Sequence, residues 1–366
     1  MKTDRREISN SVRIIWAIAV KDMGDALRNK TTISVVLGVT IMMLTNQLLP
    51  LLLDMSDVHR AIVFDPGESQ LIEELGDSEQ VSIRDAESRE ELELLLTSGQ
   101  GNWLGLTIPA DLDQIAEAGE SIELDGYTVH WMGEGETTEL RILFEQRLTE
   151  LAGTSVSINT EGHAVYPPPD SDGRPFMVSM YVVLVIIMVC GAVVPYLMIE
   201  EKESHTLDAM LVSPASYSEV VIGKALAGSF FGLVATAVVL AFNQALVVHW
   251  GLAFVATICG TLFAVAVGLL LGTMFDNPQQ MGLWMSLILL VLLVPVFLSM
   301  TMSYDWPEVL RFLFPRVPTS ALAAVIRFSL AGSVPFDRVI SNLAIVVGSG
   351  LVLLAVVVWL VRRMDR

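Results

Sequence analysis

The sequence has very little cysteine. Cys190 and Cys259 are its only two, and both fall inside long apolar runs. That excludes a disulfide framework and leaves them as small core residues. Charge is scarce too: 17% of the 366 residues are charged, against about 25% in an ordinary soluble domain. There is no Gly-x-x-x-x-Gly-Lys-Ser/Thr phosphate loop, and Gly223-Lys224 lacks the glycine-rich lead that would make one. His59, His130 and His163 are scattered, with no His-x-x-x-His or His-Glu-x-x-His spacing to hold a metal. No Ser-His-Asp or Cys-His constellation is arguable. Composition and motifs therefore point away from an enzyme.

Hydrophobic residues are abundant instead, at 53%, with a mean hydropathy of +0.58. Runs of about 20 apolar residues are long enough to cross ~30 Å of hydrocarbon. Six such spans are predicted: 31–53, 177–199, 220–248, 252–274, 281–302 and 340–361. Gly228-x-x-x-Gly232 and Gly268-x-x-x-Gly272 would let helices approach closely. Pro195 and Pro295 lie within their spans. The interiors of the last four spans carry no Asp, Glu, Lys, Arg or His. Ion-coupled carriers place relay groups there, and an intramembrane metalloprotease needs ligands there, so both classes are disfavoured.

The net charge of −19 is concentrated in one place. Residues 57–176 hold 26 acids and 6 bases, while the rest holds 15 acids and 16 bases. Such acidity argues against binding nucleic acid or anionic lipid. Residues 54–176 alternate strand-like and helix-like stretches and predict a small α/β domain. Strands are expected at 61–64, 81–83, 103–108, 121–131 and 155–159, and helices at 69–75, 88–97, 111–118 and 136–151. Asp111 and Asp113 follow Pro109 and are expected to cap the third of these helices. The acid runs 87–93 and 134–139 read as solvated faces. The stretch 166–175, rich in proline, reads as a stiff linker back to the membrane. The fold class is thus an α-helical polytopic membrane protein with an inserted extracytoplasmic α/β domain.

Residues 1–30 form an amphipathic helix, not a signal peptide. Ile8, Val12, Ile15, Trp16, Ala19, Val20, Met23 and Leu27 share a face, with Arg13, Lys21 and Arg28 elsewhere. It either lies in the membrane interface or packs on protein. Seven Lys or Arg precede the first span (Lys2, Arg5, Arg6, Arg13, Lys21, Arg28, Lys30), which puts the N-terminus in the cytoplasm and 54–176 outside. Arg362, Arg363 and Arg366 put the C-terminus inside as well. Residues 304–338 should then be outside, yet Arg311, Arg316, Arg327 and Arg338 conflict with a simple charge rule. Pro307, Pro315 and Pro318 break this stretch, and a re-entrant helical hairpin over 305–338 is expected. A surface-lying amphipathic loop is the alternative, its arginines snorkelling to headgroups.

The polar island 200–224 lies between the second and third spans. Leu207, Met210 and Leu211 recur at helical spacing and predict a short amphipathic helix over 204–213. Pro214 stops it. Ser216 and Glu219 form a Ser-x-x-Glu capping box that opens the next helix.

Glu201-Lys202-Glu203, Thr206-Leu207-Asp208, Leu211-Val212-Ser213-Pro214, Glu219 and Gly223-Lys224 together resemble the cytoplasmic signature of ABC-2-type permeases. The chain departs from that pattern at His205, where the family usually has Gly, and at Met210, where it has Leu. The resemblance extends to the amphipathic helix before the first span and to the Phe-Pro-x-x-Pro-Thr-Ser-Ala-Leu pattern at 314–322. It implies that 204–213 is a coupling helix docking into a groove on an ATPase subunit. The coupling set would be Glu201, Lys202, Glu203, Thr206, Leu207, Asp208, Met210, Leu211, Ser213, Pro214, Glu219, Gly223 and Lys224. No cofactor would be bound by this chain; ATP and Mg would sit on the partner ATPase. A second permease copy, identical or related, would complete the transporter in the cell membrane. A large domain between spans one and two resembles the sodium-extrusion and drug-export branch of the family. A competing reading is a membrane-anchored receptor whose acidic domain binds a ligand.

Overall fold

The computed structural model describes residues 2–28, 33–34, 37–38, 41, 45, 59–78, 81–99, 101–203, 216–300 and 306–364. Most of the expected first span at 31–53, and all of the expected helix at 204–213, lie outside the described residues.

The first helix is α1 (Lys2–Arg28). Residues 59–165 then build a sheet from β1 (His59–Phe64), β2 (Val81–Asp85), β3 (Leu104–Thr107), β4 (Ile122–Val129), β5 (Val156–Asn159) and β6 (Ala164–Val165). Its helices are α2 (Gln70–Gly76), α3 (Arg89–Ser98), α4 (Leu112–Glu117) and α5 (Glu134–Ala152). The strand order is β2-β1-β3-β4-β5. All pairs are parallel except β3 with β4. The first half of β4 pairs with β5 and its last two residues with β6, so β5 and β6 lie end to end along one edge. Between the two stretches Gly126 lets that edge close up, since a Cβ there would lie 2.6 Å from Ile158. The two-residue β6 is too short to show in the sequence pattern.

Strand alternation divides the core. Ala61 and Val63 of β1 face a cluster with Ile72, Leu75, Phe144 and Leu148 of α2 and α5. Ile62 faces the other way, toward Leu92 and Leu96 of α3. That second cluster does not stop at the module. Tyr127, Val129, Trp131 and Val165 belong to the same buried cluster as Phe176, Val178 and the apolar helices beyond. One core therefore runs from the back of the sheet into the bundle.

Two helix starts show what the acids do. Ser88 accepts from the Glu91 N–H at 3.1 Å, and the Glu91 carboxylate accepts from the Glu87 N–H at 2.7 Å. This part of the acid run is a cap, of a kind that contributes about 1 kcal/mol. Asp113 corrects an expectation: Asp111 stands at the N-cap position of α4 without a side-chain bond to it, and Asp113 caps another helix. Its carboxylate accepts from the Ser69 hydroxyl at 2.5 Å and from the Gln70 N–H at 3.0 Å, so it caps α2, forty-odd residues upstream. Those bonds, the Ser69 hydroxyl first, hold its pKa below the ordinary carboxylate value.

The remaining helices are α6 (Arg174–Glu203), α7 (Tyr217–Phe242), α8 (Trp250–Met274), α9 (Pro278–Met300), α10 (Glu308–Leu313), α11 (Pro318–Leu330) and α12 (Phe336–Met364). Five are long and apolar enough to cross a membrane: α6, α7, α8, α9 and α12. A helix satisfies its own backbone, which is what hydrocarbon demands. In α6 and α8, 78% and 67% of the apolar window is buried, against 22% in α9 and α12. α6 and α8 are thus the axis, and α9 and α12 the rim. All four paired glycines face α6: Gly228 meets Val194, Gly232 meets Cys190, Gly268 meets Cys190 and Val194, and Gly272 meets Met198.

The third predicted span, 220–248, overshoots its helix. Asn243 ends α7, its side-chain amide donating to the Val239 carbonyl at 2.9 Å. A 3-10 turn follows at Gln244–Leu246. The N–H groups of Val248 and His249 go to the Ser329 carbonyl, at 3.1 and 2.8 Å, which ties the turn to α11. Residues 308–316 and α11 form a pair bent by 70°. α11 is largely buried against α6, α8, α9 and α12.

The linker is held at several points. Gly332 N–H donates to the Pro167 carbonyl at 3.0 Å, and Arg338 of α12 binds Asp170. His130 stacks on Tyr166 and lies 3.4 Å from the Leu246 carbonyl through Nε2.

Candidate functional site

The residues flanking 204–215 are where sequence places the working part, and both flanks are anchored. On the incoming side, Glu201, Lys202 and Glu203 form the last turn of α6. The Lys202 ammonium donates to Asp276 Oδ1 at 2.7 Å, to the Phe275 carbonyl at 3.2 Å and to the Thr273 carbonyl at 3.5 Å. It sits on the C-terminal end of α8, where a cation is favoured by the helix dipole and unpaired carbonyls. The end of α6 is thus fixed to the turn between α8 and α9. Lys202 is only 17% exposed, whereas Asp276 is 84% exposed.

On the outgoing side, the capping box is present in full. The Glu219 N–H donates to Ser216 Oγ at 3.3 Å, and the Ser216 N–H donates to Glu219 Oε2 at 2.8 Å. One turn on, α1 runs against α7. A Cβ on Gly223 would lie 2.7 Å from Ile18 Cγ2 and 3.2 Å from the Ile15 carbonyl oxygen, so only glycine admits α1 this close. Lys224 then turns inward. Its ammonium donates to Asp22 Oδ2 of α1 at 3.3 Å and to the Leu197 carbonyl of α6 at 2.9 Å. The Lys224 and Asp22 side chains are 1% and 3% exposed.

α1 itself carries two neighbouring stripes. Ile18, Ala19, Asp22 and Ala26 are buried, and this side packs on α7. Val12, Trp16, Val20 and Leu27 form the next stripe and are exposed. The helix packs on protein with one stripe and leaves the other uncovered among the described residues.

Of the predicted set, Lys202, Glu219, Gly223 and Lys224 come together around the two roots of the island. Glu201 and Glu203 are placed as backbone only. Thr206, Leu207, Asp208, Met210, Leu211, Ser213 and Pro214 lie outside the described residues. Sequence reading missed Asp22 and Asp276. Asp22 had a signal: a carboxylate three or four residues from Ile18, Ala19 and Ala26 stands on an apolar stripe, where a charge needs a partner. Asp276 had none. Among the described residues no group of three or more His, Cys, Asp or Glu is placed to hold a metal ion.

Comparison with known families matches residues 30–359 to the ABC-2 family transporter protein. No curated protein matches the chain at a significant level.

Proposed function

Because the chain belongs to the ABC-2 family of transporter proteins, we propose that it is the permease half of an ATP-driven exporter worked through the island between α6 and α7. Membership implies a multi-pass membrane subunit of an ABC transporter, a component without an ATPase site of its own. The finer reading concerns direction, partner and orientation. A separate ATPase, holding ATP and Mg, docks on 204–213 through Thr206, Leu207, Asp208, Met210, Leu211, Ser213 and Pro214. Closure of its dimer pulls two permease copies together, and the helices switch exposure outward. Residues 54–176 form an acidic domain outside the membrane, both termini are cytoplasmic, and 305–338 is re-entrant.

The observation that carries this is the anchoring of both roots of the island. Lys202 fixes one root to α8, and Lys224 fixes the other to α1 and α6. A displacement applied to a segment held this way is delivered to four helices, not absorbed by a slack loop.

The test is co-purification of the full chain with a co-expressed ABC ATPase subunit, followed by Leu207→Asp with Leu211→Asp. Loss of the ATPase, with the chain still inserted, is expected. Unchanged export by the double variant overturns the assignment. Labelling that places 204–213 and the sheet module on the same side of the bilayer would also end it.

A further inference from the structure

We propose that Asp22 is a positioning residue of the coupling apparatus: with Lys224 and the Leu197 carbonyl it makes α1 a third arm that moves with the roots of α6 and α7.

The chemistry is that of a three-part junction. A lysine 1% exposed among apolar helices is costly unless its charge is matched and its protons are bonded. α1 supplies the carboxylate, α6 supplies a carbonyl, and α7 supplies the ammonium. No two of the three complete the arrangement. The contact continues along α1: Ile15 and Ile18 enter the notch at Gly223, and Ser11 reaches Glu219. Ser11, Ile15, Ile18 and Asp22 are spaced three or four apart, one continuous stripe.

Position gives the junction a mechanical meaning. Leu197 lies six residues before the end of α6, and Lys224 lies seven after the start of α7. At 1.5 Å per residue each is about 10 Å from the segment 204–216. A tilt applied to that segment reaches this junction within about two helical turns on either side. Because α1 leads directly into 31–53, the tilt passes to a part of the chain that touches the island nowhere in sequence. The final step rests on the function proposed above; the docking of α1 does not.

The two parts are tested separately. In full-length protein with Cys190→Ala and Cys259→Ala, a cysteine is placed at the buried Ala19 and probed with a membrane-impermeant maleimide in permeabilised vesicles. It is expected to stay unlabelled. Asp22→Asn or Lys224→Met should expose it, raising labelling about tenfold. Combining the two, which leaves no lone buried charge, should restore much of the protection. Protection unchanged by either single variant overturns the junction.

The mechanical part is read from ATP hydrolysis by the co-purified complex in nanodiscs. Asp22→Asn should retain the bound ATPase, because 204–213 is untouched, yet hydrolyse about tenfold more slowly. Asp22→Glu, which keeps the carboxylate, should restore most of the lost hydrolysis without changing the amount of ATPase retained. Asp22→Glu as slow as Asp22→Asn overturns the third arm. Failure of the unmodified chain to retain an ATPase overturns the function proposed above and the third arm with it, while the labelling result still decides the docking.

Discussion

Arg338 grips Asp170 with both ends of its guanidinium, at 2.8 Å to Oδ2 and 2.6 Å to Oδ1. This bidentate pair joins the proline-rich linker to the start of α12. It also accounts for a charge that the positive-inside rule leaves anomalous, since Arg338 answers a local carboxylate and also lies over the Phe328 ring.

The hydrogen bond from Arg338 holds the Asp170 carboxyl below its ordinary pKa, burial opposing it. A depressed carboxyl stabilises the fold above the unfolded value of about 3.9 and loses that contribution as pH falls through the folded value. Both side chains are at least half exposed, so the pair contributes about 1 kcal/mol or less. Asp170→Asn should lower the melting temperature by about 2 °C at pH 7 and by progressively less as the pH falls below about 3.9, read by scanning fluorimetry in detergent.

His130 predicts a different window. Burial pushes its pKa below the usual 6.5. Its Nδ1 has no hydrogen-bond partner among the described residues, so a second ring proton would be buried unpaired. The neutral ring is favoured, and stability should fall as pH drops below about 6.5. His130→Phe keeps a ring against Tyr166. It should flatten the melting temperature between pH 7.5 and 5.5, where the parent chain loses about 2 °C.

The glycine notches give a contrast within one experiment. A Cβ at Gly268 would lie 2.8 Å from the Cys190 carbonyl oxygen, with Val194 and Pro195 also crowding it. Gly268→Ala should cost about 1–3 kcal/mol of overpacking. Gly282 in α9 has nothing within 4 Å, and Gly282→Ala should be neutral or stabilising by about 0.5–1 kcal/mol. Thermal unfolding of the two variants side by side separates the cases.

Lys202→Met removes the cation on the end of α8. It should cost about 1–2 kcal/mol through the unpaired carbonyls of Thr273 and Phe275. Lys202→Arg should recover part of that, and Asp276→Asn very little, because Asp276 is mostly in water.

Local pattern made most of the architecture readable. The apolar run Ala61–Phe64 and the helical spacing of the segments that follow act within a few residues, and each expected strand and helix of the sheet module starts close to its place. Apolar length alone pointed to the five long apolar helices among the described residues, but it could not see Asn243 ending α7, because Val247 and Val248 continue the hydropathy past the helix end. The working contacts were less legible for a physical reason: Asp22–Lys224, Lys202–Asp276 and Asp170–Arg338 join residues far apart in the chain, and three of the five partners named for the two lysines are backbone carbonyls that any residue could supply. Lys224 was visible as part of a motif. That it points inward, onto Asp22 and the Leu197 carbonyl, required coordinates.

The continuity between the back of the sheet and the bundle has a practical consequence. Leu92, Leu96, Tyr127 and Trp131 share their buried cluster with Phe176 and its neighbours. Residues 59–165 expressed alone would present those side chains to solvent as a greasy wall. An autonomous crystallisable module should not be expected, and the cut fragment should be recovered as aggregate unless the wall is resurfaced with polar substitutions.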